Sequence, residues 1–228
     1  MSINLNKIVL EKSGDAKRIN LAKDSSGKII SKEININLNR TQEKIEKKSS
    51  GFFGSMSKMF SGSDDIDLDL GCFYELRNGT KMVIDGIQFA NGNGGIRSAL
   101  SNQGRYTDQP WVWHSGDDRS GTGDGENILI NPIGVKDLKR LTIYCFIYKG
   151  VANWSQTNAV ASIKVPGNPD IVVEMGQQIN KEMMCALAEI NFEGSEEINV
   201  KKLISFHNGH AECDRAYNWG LQWKAGSK

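Results

Sequence analysis

The strongest constraint on this chain is a two-residue rhythm. In KEININLNR, residues 32–40, Ile34, Ile36 and Leu38 fall on one face of an extended segment and Asn35, Asn37 and Asn39 on the other. A strand turns successive side chains to opposite sides, so the alternation fits a half-buried strand and not a helix. DIDLDLGCFYEL, residues 65–76, repeats the rhythm with Ile66, Leu68, Leu70, Cys72, Tyr74 and Leu76 in phase.

Further strand candidates are SINLNKIVL near the N-terminus, KMVIDGI (81–87), NILINP (127–132) and KRLTIYCFIYKG (139–150). They continue with NAVASIKVP (158–166), DIVVEMG (170–176), MMCALAEINFEG (183–194), INVKKLISFHNG (198–209) and WGLQWKAG (219–226). Turns such as RNGT and VPGNPD separate them, and neither a βαβ unit nor an internal repeat is visible. The expected fold is all-β, a two-sheet antiparallel β-sandwich with a long insertion loop, in one domain spanning 1–228. Residues 41–64 break the rhythm: a charged, helix-permissive start gives way to a Gly/Ser-rich stretch carrying Phe52, Phe53, Met56, Met59 and Phe60. A flexible insertion loop is expected there. Its two roles to weigh are folding back over the sandwich, or presenting an apolar face for self-association, a partner or a membrane surface, with Lys44, Lys47 and Lys48 alongside.

Composition narrows the function classes. With 228 residues and 39% hydrophobic content the chain can bury a sizeable core. Its 28 Lys and Arg nearly balance 27 Asp and Glu, so no global field favours nucleic acid, and no nucleic-acid partner is expected. The N-terminal MSINLNKIVLEK lacks the continuous apolar core of a signal peptide, and the longest strongly apolar run, Leu141 to Tyr148, is far short of a membrane span. A cytoplasmic protein is expected. Cys72, Cys145, Cys185 and Cys213 are widely spaced with no Cys-x-x-Cys pair, which fits reduced thiols, Cys72 and Cys145 within the core.

Carboxylates concentrate in two places. Asp65, Asp67 and Asp69 share one face of their strand, and the loop HSGDDRSGTGDGEN, residues 114–127, holds Asp117, Asp118, Asp124 and Glu126 among four glycines. An EF-hand is excluded: counting from Asp65, Leu70 stands where glycine is required and Leu76 where a bidentate Glu is required. Two readings remain from spacing, a solvated hairpin turn and an oxygen-ligated hard-cation site in which a divalent ion offsets carboxylate repulsion. All-oxygen ligation favours Ca²⁺ over Zn²⁺.

Weaker constellations lie elsewhere in the chain. His207, His210 and Cys213 form a soft-metal candidate only if the Asn208-Gly209 turn folds them together; ordinary structural roles are the simpler reading. His114 is either a structural histidine or a partner to the acidic loop. NGNGGIRS lacks the Lys-Ser/Thr ending of a phosphate loop. The five tryptophans either close the core or line a Ca²⁺-dependent small-ligand or glycan cleft, which would make the chain a ligand-binding module. No activated nucleophile is visible, so an enzyme is not expected.

The strand DIDLDLG followed by the loop HSGDDRSGTGDGEN resembles the tellurium-resistance TerD family, whose members share an Asp-Leu-Asp strand and a later Gly-Asp-rich loop. NWSQTNAVASIKV continues the resemblance, and the run from FGSMSKMFSGSDDIDLDLG to DRAYNWGLQWKAGSK is most similar to its TerA branch. The resemblance implies a β-sandwich stress-response protein that binds Ca²⁺ and acts with other Ter-system proteins near the inner face of the bacterial membrane, as a binding or adaptor module. Carried over by position, it implies Asp67, Asp69, Asp117, Asp118, Asp124 and Glu126 as Ca²⁺ ligands, with carbonyls of Gly116, Gly121 or Gly123 as additions and Asp65 as a weaker candidate.

Overall fold

The computed structural model describes residues 7–21, 33–40, 66–85, 96–116, 125–149, 154, 157, 159–175, 178–194 and 196–223. Its strands are β1 (Lys7–Leu10), β2 (Ala16–Asn20), β3 (Ile34–Arg40), β4 (Asp67–Leu76), β5 (Lys81–Asp85), β6 (Gly104–Arg105) and β7 (Val112–His114). They continue as β8 (Glu126–Ile130), β9 (Leu138–Lys149), β10 (Ala159–Lys164), β11 (Asp170–Glu174), β12 (Met184–Glu193) and β13 (Glu197–His207), and a short helix, α1 (His210–Ala216), follows β13. The expected two-sheet all-β sandwich is what forms. One sheet has the order β1-β11-β10-β3-β8-β7-β6, the other β2-β13-β12-β9-β4-β5. All the pairings are antiparallel except β1 with β11.

Alternation decides what fills the space between the sheets. Ile34, Ile36 and Leu38 from β3 pack with Leu68, Leu70, Cys72, Tyr74 and Leu76 from β4 in the main core, as their phase predicts. The asparagine face of β3 points the other way, and Asn37 donates to Asn127 of β8 at 3.0 Å, directly opposite in register. A cross-strand amide pair of this kind fixes the register of two strands. All four cysteines are free and buried. Burial pushes the thiols of Cys72, Cys185 and Cys213 up, Cys213 to about 12, so they are protonated core groups at neutral pH.

Four segments differ from expectation. The strands β2, β6 and β7 are short and lie outside the alternating segments singled out above. WGLQWKAG is not a strand where it is described: residues 219–223 pair with no strand and instead cover the outer face of the β2-to-β5 sheet. There Trp219 stacks on Phe73, with ring centroids 5.4 Å apart, beneath the Arg140 guanidinium. Asp214 of α1 holds this segment by accepting from the amides of Gly220 (2.9 Å) and Leu221 (2.8 Å) and from the Trp223 indole (3.1 Å). The proposed insertion loop, 41–64, with Phe52, Phe53, Met56, Met59 and Phe60, lies outside the described residues, as does Asp65.

At one end of the sandwich a lysine ties the sheets together. Ile198, Val200 and Lys202 share the inward phase of β13, and Lys202 is 6% exposed. Its ammonium donates to the carbonyls of Leu10 (2.8 Å), Glu11 (3.1 Å) and Glu174 (2.9 Å) across the core. Three donors meet three acceptors, so the buried charge is fully hydrogen-bonded.

Candidate functional site

The acidic residues meet the fold at the rim where β4 runs past the end of β5. In β4 the even-numbered residues line the core, so Asp67 and Asp69 share the outer face with Phe73 and Glu75. In β8 the inward phase is Glu126, Ile128 and Ile130, which sends the Glu126 carboxylate into the gap between the sheets. The β5 ladder reaches β4 at Gly71, opposite Asp85. One residue beyond, the Leu70 amide donates instead to Glu126 Oε2 at 2.6 Å. The peptide joining Asp69 to Leu70 therefore separates two carboxylates, each 3% exposed, that approach it from opposite faces.

His114 completes the crossing. It sits in the inward phase of β7 with Val112, fully buried. Gly116 N–H donates to its Nδ1 at 3.0 Å, which assigns the hydrogen to Nε2. That Nε2–H donates to the Leu70 carbonyl at 2.9 Å, with Glu126 Oε2 at 3.5 Å. Both backbone groups of Leu70 are thus taken by side chains of the opposite sheet.

The loop's two ends are held close. Ser115 N–H donates to the Asn127 carbonyl at 2.8 Å, and Asn127 N–H to Ser115 Oγ at 3.2 Å. Gly116 and Gly125 have φ of 111° and 74°, and a Cβ on Gly125 would overlap the Leu38 carbonyl, so glycine is required there.

Of the residues singled out in the sequence, Asp67, Asp69, Gly116 and Glu126 are described and lie along this rim. Asp117, Asp118, Gly121, Gly123 and Asp124 lie outside the described residues. Among the described residues no group of three or more His, Cys, Asp or Glu is placed to hold a metal ion. The rim's buried carboxylates are oxygen donors, the kind of ligand a hard cation takes. The soft-metal constellation does not form. His207 contacts Ser205 Oγ at 2.9 Å, whereas His210 pairs with Asp85 at 2.7 Å and sits between Phe146 and Trp223. Trp113, Trp154 and Trp219 are buried and Trp111 is half-buried, which leaves Trp223 as the exposed indole at 37%.

Sequence reasoning missed the crossing made by His114 and Leu70. The signal was present: His114 and Glu126 are polar residues in phase with core positions of their strands.

No family model matches the chain. It is 37% identical over 228 residues to tellurium resistance protein TerA of an Alcaligenes species, a match covering 99% of this chain and 60% of that protein. A crystal structure of a protein of unknown function superposes with a TM-score of 0.51 at 12% identity, covering 84% of this chain and 99% of the other. A homologue of telluride resistance protein (TerD) from Streptomyces coelicolor gives a TM-score of 0.46 at 11% identity, covering 81% and 95%.

Proposed function

The chain is a TerA homologue within the tellurium-resistance family, and from that premise we propose that it is a Ca²⁺-binding module that works by binding partners and not by catalysis. The observation that carries this reading is the rim at Leu70, where Asp69 and Glu126 are buried on either side of a single peptide at the mouth of a Gly-Asp loop. Glu126 already spends Oε2 on the Leu70 amide, which aims the carboxylate at the rim. Asp67 and Asp69 approach from β4, and Asp117, Asp118 and Asp124, with carbonyls of Gly116, Gly121 and Gly123, complete the proposed ligand set.

A bound divalent cation supplies the positive charge that turns carboxylate repulsion into attraction. The chain's own residues do the rest: β4 and β8 fix the carboxylates, and Gly116 and Gly125 let the loop leave and re-enter the sheet closely spaced. Loading would order the loop's surface for other Ter-system proteins. The chain spans about 60% of the TerA relative, so stress response, tellurium tolerance and assembly in the cytoplasm at the inner face of the membrane are part of the proposal for the whole protein. No helix among the described residues is long and apolar enough to cross a membrane, and association there would be peripheral. The glycan-cleft alternative loses support from the burial of Trp113, Trp154 and Trp219.

The test is calorimetric titration of metal-free protein with Ca²⁺, with Mg²⁺ as competitor. Saturable binding abolished by Asp69→Asn and by Glu126→Gln supports one site shared by strand and loop. Unchanged binding in both variants refutes the site.

A further inference from the structure

We propose that residues 208–223 form an openable cover over the outer face of the β2-to-β5 sheet, swinging as a unit on Asn208 and Gly209. The cover is bonded to itself and to the sheet in different ways. Within it, the amides of Tyr217 and Trp219 donate to the carbonyls of Cys213 (3.1 Å) and Asp214 (3.0 Å), and the Asp214 carboxylate gathers Gly220, Leu221 and Trp223. Among the described residues no backbone hydrogen bond joins the cover to a strand. Side chains make the polar joints. His210 pairs with Asp85 at 2.7 Å, Arg140 donates to the carbonyls of Tyr217 (3.1 Å) and Asn218 (3.3 Å), and Lys81 donates to that of Trp219 (3.2 Å). The chain passes from β13 into the cover through Gly209, at a φ of 146° that favours glycine.

The face beneath is apolar, and its closure leaves polar atoms stranded. Phe73, Tyr144, Met184, Ala186 and Leu203 are buried there together with Cys213 and Trp219 of the cover. Thr142 shares the outward phase of β9 with Arg140 and Tyr144, and lies in register between Phe73 and Glu189. Trp219 stacks on Phe73. Thr142 Oγ1 and Trp219 Nε1 are buried and make no hydrogen bond. A buried polar atom without a partner favours whichever state returns it to water. Both atoms regain water when the cover lifts, whereas the joints to Asp85, Arg140 and Lys81 favour closure. These opposed contributions give the cover two states, and the open one uncovers Phe73 and Tyr144.

A helix of seven residues does not persist alone, so each opening exposes its amides to hydrogen exchange. In the full chain across a low-urea series, the Cys213, Tyr217 and Trp219 amides should exchange about tenfold or more faster than the paired amides of β9, with a weaker urea dependence. Thr142→Val keeps the side chain's shape and removes the stranded hydroxyl; exchange of the cover amides should slow about tenfold. His210→Phe keeps a ring between Phe146 and Trp223 but removes the bond to Asp85, and the same amides should exchange about tenfold faster. Cover amides that share the protection and the urea dependence of β9 overturn the proposal, as does either variant leaving their exchange unchanged.

Discussion

Two ends of the sandwich are stapled by polar side chains that cross the core, and they handle charge in opposite ways. At the Lys202 end the staple is a cation supplied by the chain, held by the carbonyls of Leu10, Glu11 and Glu174. At the Leu70 end the crossing groups are a carboxylate and an imidazole, Glu126 and His114, with Asp69 buried beside them. The first end is complete within the covalent chain. The second brings two buried carboxylates to a rim from which a glycine-flanked loop departs, and it is there that the proposed function places an external cation.

The comparison predicts that substitutions at the two ends behave differently. The largest effect is expected for Lys202→Met, which removes the donor from one buried and two part-buried carbonyls; urea unfolding should show a loss of about 3–5 kcal/mol. Any Ca²⁺-dependent rise in stability should survive in this variant. If it disappears, the two ends are coupled and the contrast fails.

Glu75 sharpens the contrast on the same strand as Asp69, because its carboxylate meets cations from within the chain: Lys139 and Arg140, each at 2.7 Å. Burial pushes the Glu75 carboxyl up, but hydrogen bonds from those two residues and the charges of Arg140 and Lys81 outweigh it and hold it below the usual 4.5. A depressed carboxyl stabilises the fold above its unfolded value and loses that contribution as pH falls through the folded one. Glu75→Gln should therefore cost about 1–3 kcal/mol at neutral pH and weaken the acid dependence of stability below pH 4.5, read from urea midpoints across an acid series.

Glu126→Gln should leave metal-free stability within about 1 kcal/mol of the parent, since the amide oxygen can still accept from Leu70. Its signature is the loss of any melting shift with Ca²⁺. The smallest effect is expected at His207, which is remote from both staples. Burial lowers its pKa from 6.5, against the opposing pull of Glu212 and Glu182. The unfolded chain then binds the proton more readily, so stability rises with pH in a window just below 6.5, and His207→Gln should flatten that slope in pH-dependent unfolding.

Much of this was legible in the sequence because alternation is a local property. β3 and β4 carry long unbroken phases, and their core faces follow directly. Alternation also reaches the staples: Lys202 is in phase with Ile198 and Val200, Glu126 with Ile128 and Ile130, and His114 with Val112. Which backbone atoms these residues meet depends on how two sheets stack, which no single strand encodes. The alternation of Trp219, Leu221 and Trp223 was real but its partner was not a strand. An exposed apolar sheet face needed cover, and the Asp214 carboxylate took the amides of Gly220 and Leu221. α1 has seven residues, too few to display a helical period.

The most direct test of the central claim is thermal unfolding of the metal-free protein as Ca²⁺ is raised to millimolar concentration, for the parent and for Asp69→Asn and Glu126→Gln. The account predicts a saturable upward shift in the parent, equivalent to about 2.7 kcal/mol at one hundred times the dissociation constant, and none in either variant. A parent protein whose melting temperature ignores Ca²⁺ throughout would contradict it.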